Sequence, residues 1–200
     1  MKISVNQLGK RYGFQFVVRD VSFELENFHF MGISGRNGAG KSTLMQMISG
    51  YLSPSEGTIT YSANGKNIER NDLYSHIAYA APYIDLPQRM TTKELFDHYS
   101  KFKRTLQNYN DFVDFSELTD QGDKFIENFS SGMQQKVALA LALITDVDLI
   151  LFDEPTSYLD SQAKTWFFNK VAALKAQKTI IIASNDKEDF RNCQQIFEIK

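Results

Sequence analysis

A glycine-rich run, Gly35-Arg36-Asn37-Gly38-Ala39-Gly40-Lys41-Ser42-Thr43, holds the residue types that bind a phosphate. It fits the pattern G-x-x-x-x-G-K-[ST]. Gly35, Gly38 and Gly40 permit tight turns in which backbone N–H groups approach an anion with no Cβ in the way. A helix beginning at the end of the run adds the positive end of its dipole. Lys41 brings a cation to the outer phosphates, and the Ser42 hydroxyl offers a hard oxygen ligand to Mg²⁺. The competing reading is a plain glycine-rich turn between a strand and a helix. The dinucleotide pattern G-x-G-x-x-G is absent, because these glycines fall as G-x-x-G-x-G.

A second cluster answers the first. Val147-Asp148-Leu149-Ile150-Leu151-Phe152 is a near-continuous apolar run, as expected of a parallel strand buried on both faces, and it ends in Asp153-Glu154-Pro155. Asp153 is suited to the Mg²⁺ shell and Glu154 to polarising an attacking water. Phosphoryl transfer needs mainly positioning and charge stabilisation, which these groups supply. Two acids that merely cap a turn are the alternative; the buried strand before them and the presence of Lys41 weigh against it.

The elements that must position these groups follow from periodicity. Residues 28–33 read as the strand entering the glycine loop, and Leu44, Met47 and Ile48 as the apolar stripe of the helix leaving it, closed by Gly50. A weak strand runs from Ile3, and residues 10–14 read as a turn with exposed aromatics. Alternating strands are expected at 21–26 and 58–61, with a turn at 53–57 between helix and strand. Residues 77–81 form a short buried strand ended by Pro82. Thr91-x-x-Glu94 is a capping box ahead of Leu95, Phe96 and Tyr99. A helix is expected from Ser130 to Ile144, another capped by Asp160 or Ser161 and reaching about Ala176, and strands at 178–184 and 196–199. The fold class is α/β, with antiparallel strands near the N-terminus and a helical insert in the middle.

Composition narrows the class. Of 200 residues, 42% are apolar and 23% charged, as in a globular domain. A formal net charge of −2 points away from a nucleic-acid partner, and Lys101-Phe102-Lys103-Arg104 reads as a solvated helix face. The lone Cys193 excludes a disulfide framework and reads as an inert thiol, and His29, His76 and His98 show no ligand spacing. No apolar run approaches the roughly 20 residues of a membrane span. The expected location is cytoplasmic, at the membrane only through a partner.

Together these residues resemble the nucleotide-binding subunit of ATP-binding-cassette (ABC) transporters, nearly end to end. Beside the loop at 35–43 and the acid strand at 149–154, Phe129-Ser130-Ser131-Gly132-Met133-Gln134-Gln135 occupies the place of the family signature, and Ser157-Tyr158-Leu159-Asp160 that of its D-loop. The S-S-G-M form resembles subunits serving bacterial exporters. The resemblance implies a P-loop NTPase core of ABC ATPase type, one ATPase domain over 1–200. Residues 1–82 and 130–200 would form the β subdomain and core, and 83–129 a helical insert facing a separate transmembrane permease subunit. Two cassettes, identical or different, would pair head to tail. ATP with Mg²⁺ would then lie between one chain's loop (Gly35, Asn37, Gly38, Ala39, Gly40, Lys41, Ser42 and Thr43) and the other's Ser130, Ser131, Gly132 and Met133. Tyr12 is implied to stack on adenine, with Phe14 and Phe16 as competitors. Glu154 and Lys41 would be catalytic, with Asn185 in the place of a third catalytic group, and Ser42 and Asp153 the metal ligands.

Two departures from the family stand out. Its metal-shell Gln is replaced by Pro82, or by Tyr83 in a shifted register; Gln88 falls too far along. Its γ-phosphate His is replaced by Asn185, which donates a hydrogen bond but carries no proton. The expected activity is therefore ATP hydrolysis, slow if those losses tell. The alternative is an ATP-switched regulatory subunit that scarcely turns over, and a cytosolic ABC protein without a permease ranks below both. The cargo is not readable, because in this family its site lies largely on the membrane subunit.

Overall fold

The computed structural model describes residues 1–82, 86–121 and 124–199, and the main chain alone of Asp120. Two sheets organise it. The first is antiparallel, in the order β2-β1-β4-β5, from β1 (Lys2–Tyr12), β2 (Gln15–Leu25), β4 (Glu56–Ala63) and β5 (Lys66–Ile68). The second is parallel, in the order β6-β7-β8-β3-β9, from β3 (Phe30–Ser34), β6 (Ile77–Ala80), β7 (Leu149–Asp153), β8 (Thr179–Ser184) and β9 (Gln195–Glu198). The helices are α1 (Lys41–Ile48), the single turn α2 (Leu73–His76), α3 (Thr92–Tyr99), α4 (Tyr109–Ser116), α5 (Ser131–Ile144) and α6 (Ser161–Ala173).

Strands β7 and β8 of the parallel sheet are buried on both faces, which is why they read as near-continuous apolar runs, whereas β9 at the sheet edge is largely exposed. Alternation still sorts the side chains. Leu149, Leu151, Ile181 and Ala183 pack with α1 and the antiparallel sheet, in one core with Leu44, Met47, Ile3 and Val21. Ile150, Phe152, Ile180 and Ile182 face the other way, in a second core with α3 to α6. There Phe152 meets Phe167 edge-on, ring centroids 5.1 Å apart. Phe112 of α4 is fully buried against Phe96 of α3.

Several expectations are corrected. Residues 10–12 belong to β1, so the turn is confined to Gly13 and Phe14, and the β1–β2 hairpin is longer than its weak alternation indicates. Helix α6 stops at Ala173, and Ala176 beyond it has φ 65°. Ser49 is the C-cap of α1, with Gly50 just past it at φ 80° donating to Met47 O. Residues 101–104 lie beyond α3 rather than on a helix face. Lys103 turns inward to donate to Ile77 O at 2.9 Å, and burial lowers its pKa. Burial likewise pushes the Cys193 thiol up to about 12, as befits an inert thiol. Strand β5 and helix α2 lie in polar sequence with no clear period and have no counterpart in the sequence reading.

The capping box does form. The Thr91 hydroxyl accepts from Glu94 N at 3.2 Å, and the Glu94 carboxylate accepts from Thr91 N at 2.9 Å. With only eight residues, α3 depends on this start. Thr91→Ala is expected to destabilise the protein by about 1 kcal/mol, read as a lowered denaturant midpoint with an unchanged slope. An unchanged midpoint would mean that α3 is held by packing alone.

Candidate functional site

Strand β3 delivers the chain to the glycine loop, and α1 begins at Lys41. The loop is closed by Ala39 N donating to Arg36 O at 3.0 Å and Leu44 N donating to Gly40 O at 2.8 Å. Gly40 is the N-cap of α1, at φ 96° with no side-chain cap, so no side chain occupies the first N–H groups of that helix. They open onto a cleft of about 370 Å³ lined by Val17, Asn37, Gly38, Lys41, Ser42 and Glu154, among others.

The acid strand meets this cleft from the sheet. Strand β7 lies between β6 and β8, fully buried, and ends at Asp153, which is 0% exposed. The Tyr79 hydroxyl on β6 donates to Asp153 Oδ2 at 3.3 Å. Glu154 then leaves the strand at φ 45°, its N–H donating to Ala183 O at 2.7 Å. This turn carries the carboxylate out of the core. Its Oε1 lies 3.3 Å from Lys41 Nζ, while Oε2 accepts from Ser184 Oγ at 3.2 Å and Asn185 N at 3.5 Å. Lys41, only 6% exposed, also donates to Gly35 O at 3.0 Å. A buried ammonium needs such partners, and phosphate oxygens are stronger ones than a carbonyl. The Asn185 side chain donates to Asn37 Oδ1 at 3.0 Å, joining the end of β8 to the glycine loop.

Residues 130–133 line a different cleft. Ser130 caps α5, its Oγ accepting from Met133 N at 3.3 Å. Ser131, Gly132 and Met133 border a space that Tyr158 and Asp160 also line. A Cβ at Gly132 would sit 2.7 Å from Tyr158 O, so the first turn of α5 and the turn at Tyr158 touch through backbone. Asp160 is engaged as the N-cap of α6, accepting from Ala163 N at 2.8 Å. The loop after Glu154 is tied on both sides. Gln135 of α5 donates to Pro155 O at 3.0 Å, and Thr156 donates to the buried Asp189 at 2.8 Å. Burial holds the Asp189 carboxyl above its usual range.

Some expected positions lie elsewhere. Tyr12 is 56% exposed at the end of β1 beneath Lys10, and Phe14 is fully exposed in the turn; the hairpin residue that lines the cleft is Val17. Phe16 lies under the Arg19 guanidinium, 5.2 Å from its ring centroid. Tyr83 is outside the described residues. Gln88 turns away, its amide donating to Leu86 O at 2.8 Å and to Gln134 of α5 at 3.4 Å. Tyr79 and Ser184 escaped the sequence reading. Ser184 ends β8, one position past Ala183, which pairs with Asp153, and Tyr79 is the penultimate residue of β6, paired with Leu151.

The comparisons with known proteins agree with this geometry. The ABC transporter family model matches residues 18–157. The chain is 36% identical over 179 residues to the ABC transporter ATP-binding protein NatA of Bacillus subtilis (strain 168), covering 86% of this chain and 73% of that protein. It is 31% identical over 205 residues to the Nod factor export ATP-binding protein I of Sinorhizobium fredii, covering 99% of this chain and 60% of the relative's length. A solved dimeric ATP-binding cassette in a post-hydrolysis state, bound to ADP and Pi, shares the fold at a TM-score of 0.84 and 21% identity, covering 99% of this chain and 94% of that one. With its glycine loop and acid strand both inside the matched span, this chain belongs to the ABC transporter family.

Proposed function

We propose that the chain is the ATP-binding and ATP-hydrolysing subunit of an exporter-type ABC transporter. In this reading it powers a separate membrane-spanning subunit by pairing head to tail with a second cassette, the same or different. The observation that carries it is the meeting of Lys41 and Glu154, 3.3 Å apart at the mouth of an uncapped helix N-terminus. The relatives' names, an ABC transporter ATP-binding protein and a Nod factor export ATP-binding protein, favour transport and export.

The phosphates of ATP take the N–H groups of residues 38–43, and Lys41 exchanges Glu154 for the outer phosphates. The released Glu154 carboxylate accepts the proton of the attacking water, held in place by Ser184 and the Asn185 N–H. Ser42 and Asp153 offer oxygen donors, one at the cleft and one fully buried, a set that fits Mg²⁺. When bound, Mg²⁺ neutralises charge on the outer phosphates. Ser130, Ser131, Gly132 and Met133, at the N-terminal end of α5, meet the ATP of the opposite cassette, and Asp160 borders that contact. Residues 83–129 face the membrane subunit, which holds the chain at the cytoplasmic face.

A second reading keeps ATP binding and dimerisation but not turnover; Pro82 and Asn185, in place of Gln and His, favour it. The test is a pull-down of the tagged chain with Mg-ATP from detergent-solubilised membranes of its source, with phosphate release measured on the captured complex. A stoichiometric multi-span protein and steady release are expected. A membrane partner without release selects the ATP-switched reading, and no membrane partner sinks the transporter reading.

A further inference from the structure

An asparagine beside a polyanion site must be oriented, because one edge of its amide repels the anion and the other binds it. Asn37 has this problem: it lines the cleft with Lys41 and Glu154. The Asn185 amide donates to Asn37 Oδ1 at 3.0 Å and so occupies the repelling edge. The edge left over carries two N–H donors. We infer that Asn185 is a positioning residue that turns the Asn37 amide toward the terminal phosphate of ATP and thereby sets the preference of the site for ATP over ADP.

The place of the pair in the cleft supports that end of the nucleotide. Asn185 also gives its main-chain N–H to Glu154 Oε2 at 3.5 Å, and Glu154 Oε1 lies 3.3 Å from Lys41 Nζ. The pair therefore stands at the reacting end of the cleft, which a diphosphate leaves empty. Both asparagines are exposed, so their mutual hydrogen bond adds little to folding. Its geometry bears on the ligand instead. Asn185 thus acts through Asn37 rather than as a proton-carrying contact to phosphate. The inference rests on the proposed placement of ATP in this cleft.

Isothermal titration of the full chain with Mg²⁺ and either AMP-PNP or ADP tests it. Asn185→Ala should weaken AMP-PNP about fivefold while changing ADP less than about twofold, with no shift in Tm. Asn185→Asp, an acceptor only, draws the Asn37 N–H groups back toward itself and should weaken AMP-PNP about tenfold or more. Asn37→Ala should reproduce the AMP-PNP loss, and adding Asn185→Ala to it should change nothing further. Equal losses for the two nucleotides, additive losses in the double variant, or an unaffected Asn185→Asp protein would overturn the pairing role. A wild-type chain that binds neither nucleotide would overturn the functional reading itself.

Discussion

ATP turnover by the Glu154→Gln protein is expected to fall about a hundred- to ten-thousandfold, with nucleotide binding retained. The substitution keeps the shape of the side chain and so its exit from β7 at φ 45°. Ser184 Oγ and the Asn185 N–H, at 3.2 and 3.5 Å, still find a carbonyl oxygen to donate to. What disappears is the negative charge, and with it the ability to take a proton from water. Lys41 also loses its carboxylate partner at 3.3 Å, so no internal anion competes with incoming phosphate. The dissociation constant for ATP should stay the same or fall. Single-turnover phosphate release and equilibrium titration with a fluorescent ATP analogue separate the two effects. Turnover equal to wild type would remove Glu154 from the role of base; lost binding would make it a structural partner of Lys41 instead.

Gly40→Ala is expected to weaken nucleotide binding at least about a hundredfold without unfolding the protein. Gly40 sits at φ 96°, where an L side chain is strained by about 1–2 kcal/mol. The larger problem is contact. An added Cβ would lie 2.6 Å from Val17 O and 2.8 Å from Val18 Cγ2, so either the β2 backbone or the loop must move. Strand β2 is bound along its length to β1, whereas the loop is held by few backbone hydrogen bonds. The loop gives way, and the first N–H groups of α1 turn out of line. A displacement near 1 Å costs such a site about two orders of magnitude. Equilibrium titration with ATP, alongside a far-ultraviolet spectrum, checks both halves. Tight binding in the variant would show that the hairpin yields instead of the loop.

Much of this was readable in one dimension, for a physical reason. A phosphate loop is a local device: its glycines, lysine and hydroxyl act on one ligand within nine successive positions, 35–43. Likewise a strand buried on both faces must be apolar throughout, which exposes Asp153 and Glu154 as the point where that constraint ends. Capping is equally local, so Thr91 with Glu94 followed from spacing, while the cap of α6 was narrowed to Asp160 or Ser161 and the fold selects Asp160. The long hairpin did not, because residues 6–12 of β1 are held by cross-strand partners and bulges rather than by alternation. The same is true of the contacts around Glu154. Ser184 and Asn185 lie some 30 positions away in sequence, and Asn37 lies 148 from Asn185. Parallel pairing of β7 with β8, and of β8 with β3, brings these strand ends to one edge of the sheet. The chain's residue types therefore determined the glycine loop leading into α1, the acid pair that ends β7 and the capped start of α5. Which groups hold Glu154, why Gly40 admits no Cβ and what Asn185 touches were settled by sheet order and by the hairpin packed against the loop, because those contacts join residues with no local relation.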